Sequence, residues 1–354
     1  MSTIVLTSEQ ITCMIYDQRS ISMNRTWYVG TSDGEIIVFD VSFRMVRRWK
    51  GHERWVSGLV FPLDGGLVSG SWDGSVKMWD LEAGRVEEPP SGEDPPSGVW
   101  ARNLGGGRVG GGRVNALTEL PGGRVAAGSH DGTVRVLDLG TGQEIVVCRG
   151  HPRWVYAVIS LGDPCAGSFA SGSGDKTIRV WTTSPIGGAS ATEGGTTSSG
   201  TAVRVVEVGS QVYSLSISPC GRMVASGCED GSVRLFRLPE WDTVWLMKVH
   251  TDMVNSVSFS PDGRFLASGS DDKTVKILCS KTGIVLMTFA GHIDWVRSVL
   301  FSQNGTKVIS CSRDKTVRMW SLCPDLDAQM ASLIYGKKGS AFKNIYQRVL
   351  NYCL

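Results

Sequence analysis

Residues 253 to 289 read MVNSVSFSPDGRFLASGSDDKTVKILCSKTGIVLMTF. From residue 254 to residue 259 the side chains alternate with the period of two that is typical of a β-strand, and the turn sequence SPDG follows. Three more strand-like segments, at 264–270, 274–279 and 284–289, are separated by the turns DDK and SKTG. The stretch therefore predicts one sheet of four short antiparallel strands.

The turn between the second and third strands recurs along the chain. Aligned on the pattern SGSxD followed by Gly or Lys, its aspartates are Asp33, Asp73, Asp131, Asp175, Asp230, Asp272 and Asp314. Most intervals are 40 to 44 residues, whereas the intervals of 58 and 55 residues contain insertions rich in glycine, serine or proline. Seven units with a period of about 40 residues predict a seven-bladed all-β propeller with four-stranded antiparallel blades.

The remaining segments fit around that ring. The β-branched stretch Thr3 to Leu6 predicts that residues 1–6 complete blade seven. The propeller is expected to span residues 1–321, with flexible insertions at about 84–112 and 184–201, because both are poor in apolar residues. Val99 and Trp100 are the one apolar point of the first insertion, and we expect them to pack at most on a blade edge.

The C-terminal tail, residues 322–354, leaves the repeat pattern. Residues 341–352 place their apolar side chains on one stripe and predict an amphipathic helix. Such a helix can pack on the propeller or dock in a groove of a partner.

Recurring motifs identify a family. A Gly-His pair ends at His52, His151 and His292, Trp79 and Asp80 form a Trp-Asp pair, and Trp181 and Trp320 occupy the same place as Trp79. In these motifs residues 1–321 resemble the WD-repeat (WD40) family. The resemblance implies a buried hydrogen-bonded tetrad of His, Ser, Asp and Trp in a blade. The complete sets are His52, Ser69, Asp73 and Trp79; His151, Ser171, Asp175 and Trp181; and His292, Ser310, Asp314 and Trp320.

The other four blades lack part of this set. Blade six keeps His250, Ser268 and Asp272 but has Leu278 in the tryptophan position. Blade five keeps its serine and aspartate, and blades one and three are the most degraded.

A Ser, His and Asp set also matches a hydrolase triad. Its repetition in several blades, each time with a tryptophan, favours a structural tie, and the motifs GxSxG, GxxxxGK[ST] and HExxH are absent. The run GGGRVGGG at 105–112 lacks the Lys-Ser/Thr of a phosphate-binding loop and predicts a flexible loop. The nine cysteines are scattered singly without a CxxC pair, which predicts free thiols, no metal and no cofactor. We therefore expect no enzyme.

Composition restricts the partners. The 36 Lys and Arg against 34 Asp and Glu are too balanced for a dedicated nucleic-acid or membrane-surface protein. No apolar run reaches the roughly 20 residues of a membrane helix, and the first ten residues lack a signal-peptide pattern. We expect a cytoplasmic protein, with the nucleus left open.

The resemblance implies that partners bind the narrow upper face around the central channel. The residues that the repeat places there are Trp55, Trp72, Arg113, His130, Trp154, Tyr156, Tyr213, Glu229, Met253, Asp271, Trp295, Arg297 and Arg313. Aromatic residues and arginines are enriched at binding hot spots, although Trp55, Trp154 and Trp295 could equally cap the inner strands. Asp294 beside Arg297, and Asp271 beside Arg313, would give this face both signs of charge, which suits a peptide or protein.

The sequence therefore predicts a non-catalytic protein-protein interaction scaffold in an intracellular multiprotein complex. The alternatives are a ubiquitin-ligase substrate receptor, a G-protein-β-like signalling protein, or a protein component of a ribonucleoprotein assembly. No arginine follows Trp79-Asp80 and no long coiled coil precedes blade one, which disfavours the first two. The expected partners are other proteins or peptides, with no membrane, and with nucleic acid contacted only indirectly if at all. On its own the chain is expected to be monomeric.

Overall fold

The computed structural model describes residues 2–5, 9–17, 26–40, 42–62, 66–81, 100–105, 112–162, 167–182 and 198–322. These residues form 29 β-strands arranged in seven antiparallel sheets of four strands, one of which gains a fifth. The described part of the chain contains no α-helix. The prediction of a seven-bladed propeller with four-stranded blades is confirmed.

The blades are numbered along the chain, and the strands of each blade are given from the inner strand to the outer strand. Blade one contains β2 (Ile11–Tyr16), β3 (Trp27–Thr31), β4 (Glu35–Phe39) and β5 (Met45–Lys50). Blade two contains β6 (Val56–Val60), β7 (Leu67–Ser71), β8 (Val76–Asp80) and β9 (Trp100–Leu104). Blade three contains β10 (Val114–Leu120), β11 (Arg124–Ser129), β12 (Val134–Asp138), β13 (Glu144–Cys148) and, from further along the chain, β17 (Ser198–Gly200).

Blades four to seven complete the ring. Blade four contains β14 (Val155–Ser160), β15 (Ser168–Ser173), β16 (Thr177–Thr182) and β18 (Ala202–Glu207). Blade five contains β19 (Val212–Ile217), β20 (Met223–Cys228), β21 (Ser232–Arg237) and β22 (Asp242–Lys248). Blade six contains β23 (Val254–Phe259), β24 (Phe265–Ser270), β25 (Thr274–Cys279) and β26 (Val285–Ala290). Blade seven contains β27 (Val296–Phe301), β28 (Lys307–Ser312), β29 (Thr316–Ser321) and β1 (Ser2–Val5).

The seven inner strands form a closed ring. Each of β2, β6, β10, β14, β19, β23 and β27 contacts the inner strand of the next blade, and β27 contacts β2. The N-terminal strand closes the ring as predicted, because β1 pairs antiparallel with β29 from Ser2 opposite Met319 to Val5 opposite Thr316. The inner strands therefore have their free edges inside the ring, and the outer strands are the sheet edges at its circumference.

The hydrophobic core lies between neighbouring blades rather than inside one blade. One cluster joins Phe169 and Trp181 of blade four to Val134 and Val136 of blade three, all of them buried. A blade therefore cannot bury its apolar surface alone and depends on its neighbours for stability.

A glycine of the second strand sets the distance between blades. A Cβ added to Gly30, Gly70, Gly128, Gly172, Gly227 or Gly269 would lie under 3.0 Å from the side chain of the valine that begins the next inner strand. The repeated Ser-Gly-Ser motif thus keeps its glycine for close packing, since real Cβ atoms do not approach so closely. Where blade seven meets blade one, Cys311 takes the place of this glycine and packs beside Ile11.

The structure corrects the prediction of flexible insertions at the residues of these segments that it describes. Trp100–Leu104 is not slack: it forms the fourth strand of blade two, pairs with β8, and fully buries Leu104. Ser198–Gly200 pairs in parallel with Val146–Cys148 and adds a fifth strand to blade three. Both segments are poor in apolar residues, so their composition did not predict strands. Their backbone N–H and C=O groups nevertheless pair with a neighbouring strand. The predicted helix at 341–352 lies outside the described residues.

Candidate functional site

The Ser, His, Asp and Trp side chains of blades two, four and seven form continuous hydrogen-bonded chains. In blade four, His151 Nδ1 lies 2.7 Å from Asp175 Oδ2 and His151 Nε2 lies 2.7 Å from Ser171 Oγ, which accepts the Trp181 indole N–H at 2.8 Å. The corresponding three distances are 3.0, 2.6 and 2.8 Å in blade two and 2.8, 2.7 and 2.8 Å in blade seven.

The direction of these bonds follows from the acceptors. A carboxylate only accepts, so Nδ1 of each histidine donates to the aspartate and Nε2 accepts from the serine hydroxyl. Burial by itself raises the pKa of Asp73, but the hydrogen bonds from His52 and from the hydroxyl and backbone N–H of Ser75 together hold that pKa well below its usual range. Burial lowers the pKa of His52 against the opposing effect of Asp73, which favours the neutral ring. The hydrogen-bonded chain of side chains thus joins the turn, through its aspartate, to the serine of the second strand and the tryptophan of the third strand.

The incomplete blades use smaller parts of this arrangement. In blade six His250 bonds to Asp272 and Ser268, both at 2.8 Å, while Leu278 fills the tryptophan position as a buried apolar side chain. In blades three and five, where the sequence has no such histidine, an arginine four residues after the turn aspartate pairs with it: Arg135 Nη2 lies 3.6 Å from Asp131, and Arg234 Nη2 lies 3.1 Å from Asp230.

The upper face is assembled by one backbone hydrogen bond in every blade. It joins the residue before the turn aspartate to the residue before the inner strand, as in Trp72 N–H to Trp55 C=O at 2.9 Å and Asp271 N–H to Met253 C=O at 3.0 Å. Arg313 and Trp295 are joined in the same way, at 2.9 Å. The two sets of positions that the repeat places on this face therefore meet in pairs around the channel mouth.

A β-bulge lies at the second residue of each inner strand. The register of all seven inner pairs shifts there, at Thr12, Ser57, Asn115, Tyr156, Tyr213, Asn255 and Arg297. A bulge changes the direction of its extra side chain relative to the regular ladder. The sequence predicted that these positions lie on the upper face but did not predict the bulges.

Four of the seven bulge residues donate a hydrogen bond to a backbone carbonyl of the next blade. Thr12 and Ser57 donate their hydroxyls to the carbonyls of Val56 and Val114. Asn115 and Asn255 donate their amides to the carbonyls of Val155 and Val296, each at 2.9 Å. In these blades the bulge side chain is used for closure of the ring.

The other three bulge residues are larger and make different contacts. The ring centroids of Tyr156 and Tyr213 lie 4.3 Å apart with an interplanar angle of 20°, so the two rings stack. Arg297 Nη1 donates to Asn255 Oδ1 at 3.3 Å. Burial raises the pKa of both tyrosines, and the charge of Glu229 raises both further.

Aromatic rings and cations continue from this pair across blades two to four. Trp154 meets Tyr156 edge-on at 6.0 Å and His130 at 3.9 Å. Trp55 and Trp72 stack at 4.2 Å, and the Arg113 guanidinium lies 4.6 Å from the Trp72 ring. Trp154 keeps 48% of its surface exposed, so part of this row of aromatic side chains, which we call the aromatic arc, is open to solvent.

Charged groups occupy blades five to seven. Asp271 is buried and accepts a hydrogen bond from Asn255 at 2.5 Å, and burial raises its pKa. Glu229 accepts from Gln211 at 2.9 Å. The predicted neighbours are corrected here, because Arg313 lies 4.0 Å from Asp294 and 4.7 Å from the Trp295 ring, whereas Arg297 bonds to Asn255. The backbone hydrogen bond from Arg313 to Trp295 explains the exchange, because it brings Arg313 beside the loop that contains Asp294.

The fold and the tetrads define a WD-repeat propeller, and comparison with protein families agrees. The chain matches the WD domain, G-beta repeat family (WD40) at residues 43–80, 142–182, 201–237, 241–278 and 283–321, which together are more than half of its length. The chain therefore belongs to the WD40 family. Within the residues that the structure describes, no helix combines the length and hydropathy needed to cross a bilayer, and no group of three or more His, Cys, Asp or Glu could hold a metal.

Several curated proteins resemble part of the chain. Small ribosomal subunit protein RACK1y of Oryza sativa subsp. japonica is 26% identical over 202 residues, which are 55% of this chain and 51% of that protein. Ribosome biogenesis protein WDR12 homolog of Chlamydomonas reinhardtii is 26% identical over 170 residues, 37% of this chain and 38% of that protein. WD repeat-containing protein SL1-17 of Schistosoma mansoni is 25% identical over 233 residues, 64% of this chain and 66% of that protein. The first two matches thus span about half or less of each relative.

Proposed function

We propose that this protein is a non-catalytic scaffold that binds other proteins or extended peptides through its upper face, within an intracellular multiprotein complex. A propeller supplies a rigid platform, and function resides in the side chains that the platform presents. The open part of the aromatic arc and the nearby charged groups provide hydrophobic area together with both signs of charge, as protein interfaces do.

One observation carries this proposal: the seven bulge positions hold two kinds of residue, four small polar ones and three large ones. Thr12, Ser57, Asn115 and Asn255 donate to a backbone carbonyl of the next blade, whereas Tyr156 stacks on Tyr213 and Arg297 donates to the Asn255 side chain. Small polar residues suffice for closure in the four tied blades. The side chains at the other three positions also contact a neighbouring blade but are larger than closure requires, and we attribute their additional surface to partner binding.

The Ser, His and Asp sets are poorly placed for catalysis. His151 is 5% exposed and Ser171 is fully buried, so a substrate carbonyl has no approach to the hydroxyl. The serine oxygen also accepts the indole N–H of Trp181, which competes with its role as a nucleophile. Their repetition in four blades supports a structural role.

Affinity purification with mass spectrometry tests the proposal. The test variant is Trp72→Ala/Tyr156→Ala/Arg313→Ala, and the matched control is Leu246→Ala/Met247→Ala, which truncates two exposed side chains of β22 on the rim. We expect partners to be lost from the upper-face variant and kept by the rim variant, with both variants folded by circular dichroism. An unchanged partner set in the upper-face variant would refute the proposal.

A component of a ribonucleoprotein assembly is the second candidate, and the names of two relatives favour it. Those names refer to the small ribosomal subunit and to ribosome biogenesis. On this account the chain still contacts mainly protein, in the cytoplasm or the nucleus. Co-sedimentation with ribosomal particles that survives RNase treatment would support the protein-mediated version, whereas direct, salt-sensitive binding of purified RNA would indicate that the chain itself contacts nucleic acid.

A further inference from the structure

Among the residues that the structure describes, nothing pairs with the outer edge of blade one. Its order in the sheet is β2-β3-β4-β5, and no strand among the described residues pairs with the outer side of β5. An uncovered edge presents a row of backbone N–H and C=O groups that can pair with another strand. This edge lies on the circumference of the ring, away from the channel mouth.

The side chains of this edge are exposed, and all the charged ones are cationic. Arg44, Arg47, Arg48 and Lys50 are all exposed within seven residues that contain no acidic residue. Between them, Met45 is 52% exposed and Val46 is 62% exposed. Arg48 lies 3.7 Å from Glu35 of the neighbouring strand, and this partly buried ion pair offsets one of the four charges.

Three other outer strands of the propeller do not share this charge pattern. In β18, Arg204 is accompanied by Glu207, and in β22, Asp242 is accompanied by Lys248. The outer strand β26 contains no charged residue. The cationic edge is thus a property of blade one and not a consequence of the repeat.

Blade three shows that an outer edge of this propeller can take a fifth strand. There β17 pairs in parallel with β13, with Ser198 opposite Val146 and Gly200 opposite Cys148. The edge residues beneath it, Val146, Val147 and Cys148, are all buried. A blade of this ring can therefore carry a fifth strand on its outer edge.

We propose that β5 is a second docking surface, which takes an extended acidic segment of a partner protein as a fifth strand of blade one. Backbone hydrogen bonds would supply affinity, and carboxylates of the added strand would meet Arg47, Arg48 and Lys50. The added strand would also cover Met45 and Val46. A second copy of this chain is a poor occupant, because pairing two such edges would bring like charges directly together. The inference is independent of the upper face.

Fluorescence anisotropy with a labelled peptide tests the proposal on the full chain. The probe is a nine-residue peptide in which glutamate alternates with threonine, and the reference peptide has proline at its central position, which cannot pair along a strand. The variant Arg47→Glu/Lys50→Glu leaves the Arg48 ion pair in place. The matched control is Lys248→Glu, a charge reversal of an exposed residue on the outer strand β22.

We expect the wild type and the Lys248→Glu variant to bind the probe equally and the double variant to bind about tenfold more weakly, the scale of one or two surface charge pairs. Hydrogen exchange of the β5 amides should slow when the probe is bound, and the upper-face triple variant should bind as the wild type does. Equal binding of the proline peptide, or unchanged exchange in β5, would overturn the proposal and leave the cations as guards against edge pairing. Equally tight binding of an oligouridylate would overturn it in favour of a general polyanion surface.

Discussion

Replacing Ser171 by alanine removes the centre of the blade-four hydrogen-bonded chain. The Ser171 hydroxyl accepts from Trp181 Nε1 at 2.8 Å and bonds to His151 Nε2 at 2.7 Å, and all three side chains are buried. The substitution leaves an indole donor and an imidazole acceptor without a partner. Since each buried unsatisfied group costs about 1–3 kcal/mol, we expect a loss of about 2–4 kcal/mol in the free energy of unfolding.

Blade five provides the matched control. Ser226 occupies the same place in its second strand and is also fully buried, but Phe236 stands where Trp181 stands in blade four. The Ser226 hydroxyl makes a weak 3.6 Å contact with Cys228 Sγ. Ser226→Ala should therefore cost only about 0–1 kcal/mol.

Urea unfolding followed by tryptophan fluorescence measures the difference. With a slope of about 2–3 kcal/mol/M, Ser171→Ala should lower the midpoint by about 1 M at unchanged slope, and Ser226→Ala by a few tenths of that. Equal losses in the two variants would refute the claim that the tetrad bonds stabilise the blade, because both variants remove the same atoms from equally buried sites.

Three further predictions concern closure, packing and pH. Deletion of residues 1–7 removes β1 from blade seven and should markedly lower the melting temperature in differential scanning fluorimetry; an unchanged melt would show that the pairing with β29 does not close the ring. Gly269→Ala would place a Cβ 2.7 Å from Val296 Cγ1 and Val299 Cγ1 and should cost about 1–3 kcal/mol, whereas Gly140→Ala, where the nearest atom is 3.5 Å away, should cost little. Burial raises the pKa values of four turn aspartates, but hydrogen bonds from histidine and hydroxyl groups outweigh it and lower them; these residues are Asp73, Asp175, Asp272 and Asp314. The stability that these groups contribute is therefore present above the unfolded pKa of about 3.9 and is lost as the pH falls below it. The lowered pKa of His52 also reduces the free energy of unfolding as the pH falls below about 6.5, because the unfolded chain takes up that proton first. The substitution Asp314→Asn should make the free energy of unfolding depend less steeply on pH in the acid range.

The sequence predicted those features of the fold that repeat. The turn aspartates gave the number of blades, and residues 3–6 gave the closing strand. The fourth strand of blade two was missed because Trp100–Leu104 carries two polar residues and follows a long glycine- and proline-rich segment. The short β17 was missed because its pairing with β13 joins residues about fifty positions apart, which no local pattern reveals.

The candidate site was predicted as a set of positions but not as a set of contacts. The repeat placed Trp72 and Arg113 on one face, and only the structure brings the guanidinium to the indole. The bulges were not predicted, because a single extra residue leaves no compositional trace. Their significance lies in the contrast between Thr12 or Ser57, which bond to the next blade, and Tyr156 or Tyr213, which stack on each other.

Site-specific photo-crosslinking in cells tests the central claim most directly. A benzoylphenylalanine in place of Met253, at the channel mouth, is compared with one in place of Met287 on the outer strand β26. Binding through the upper face predicts discrete crosslinked partners from position 253 that disappear when Tyr156→Ala and Arg313→Ala are added, and none of those partners from position 287. The same partners crosslinked from position 287, with none from position 253, would contradict it.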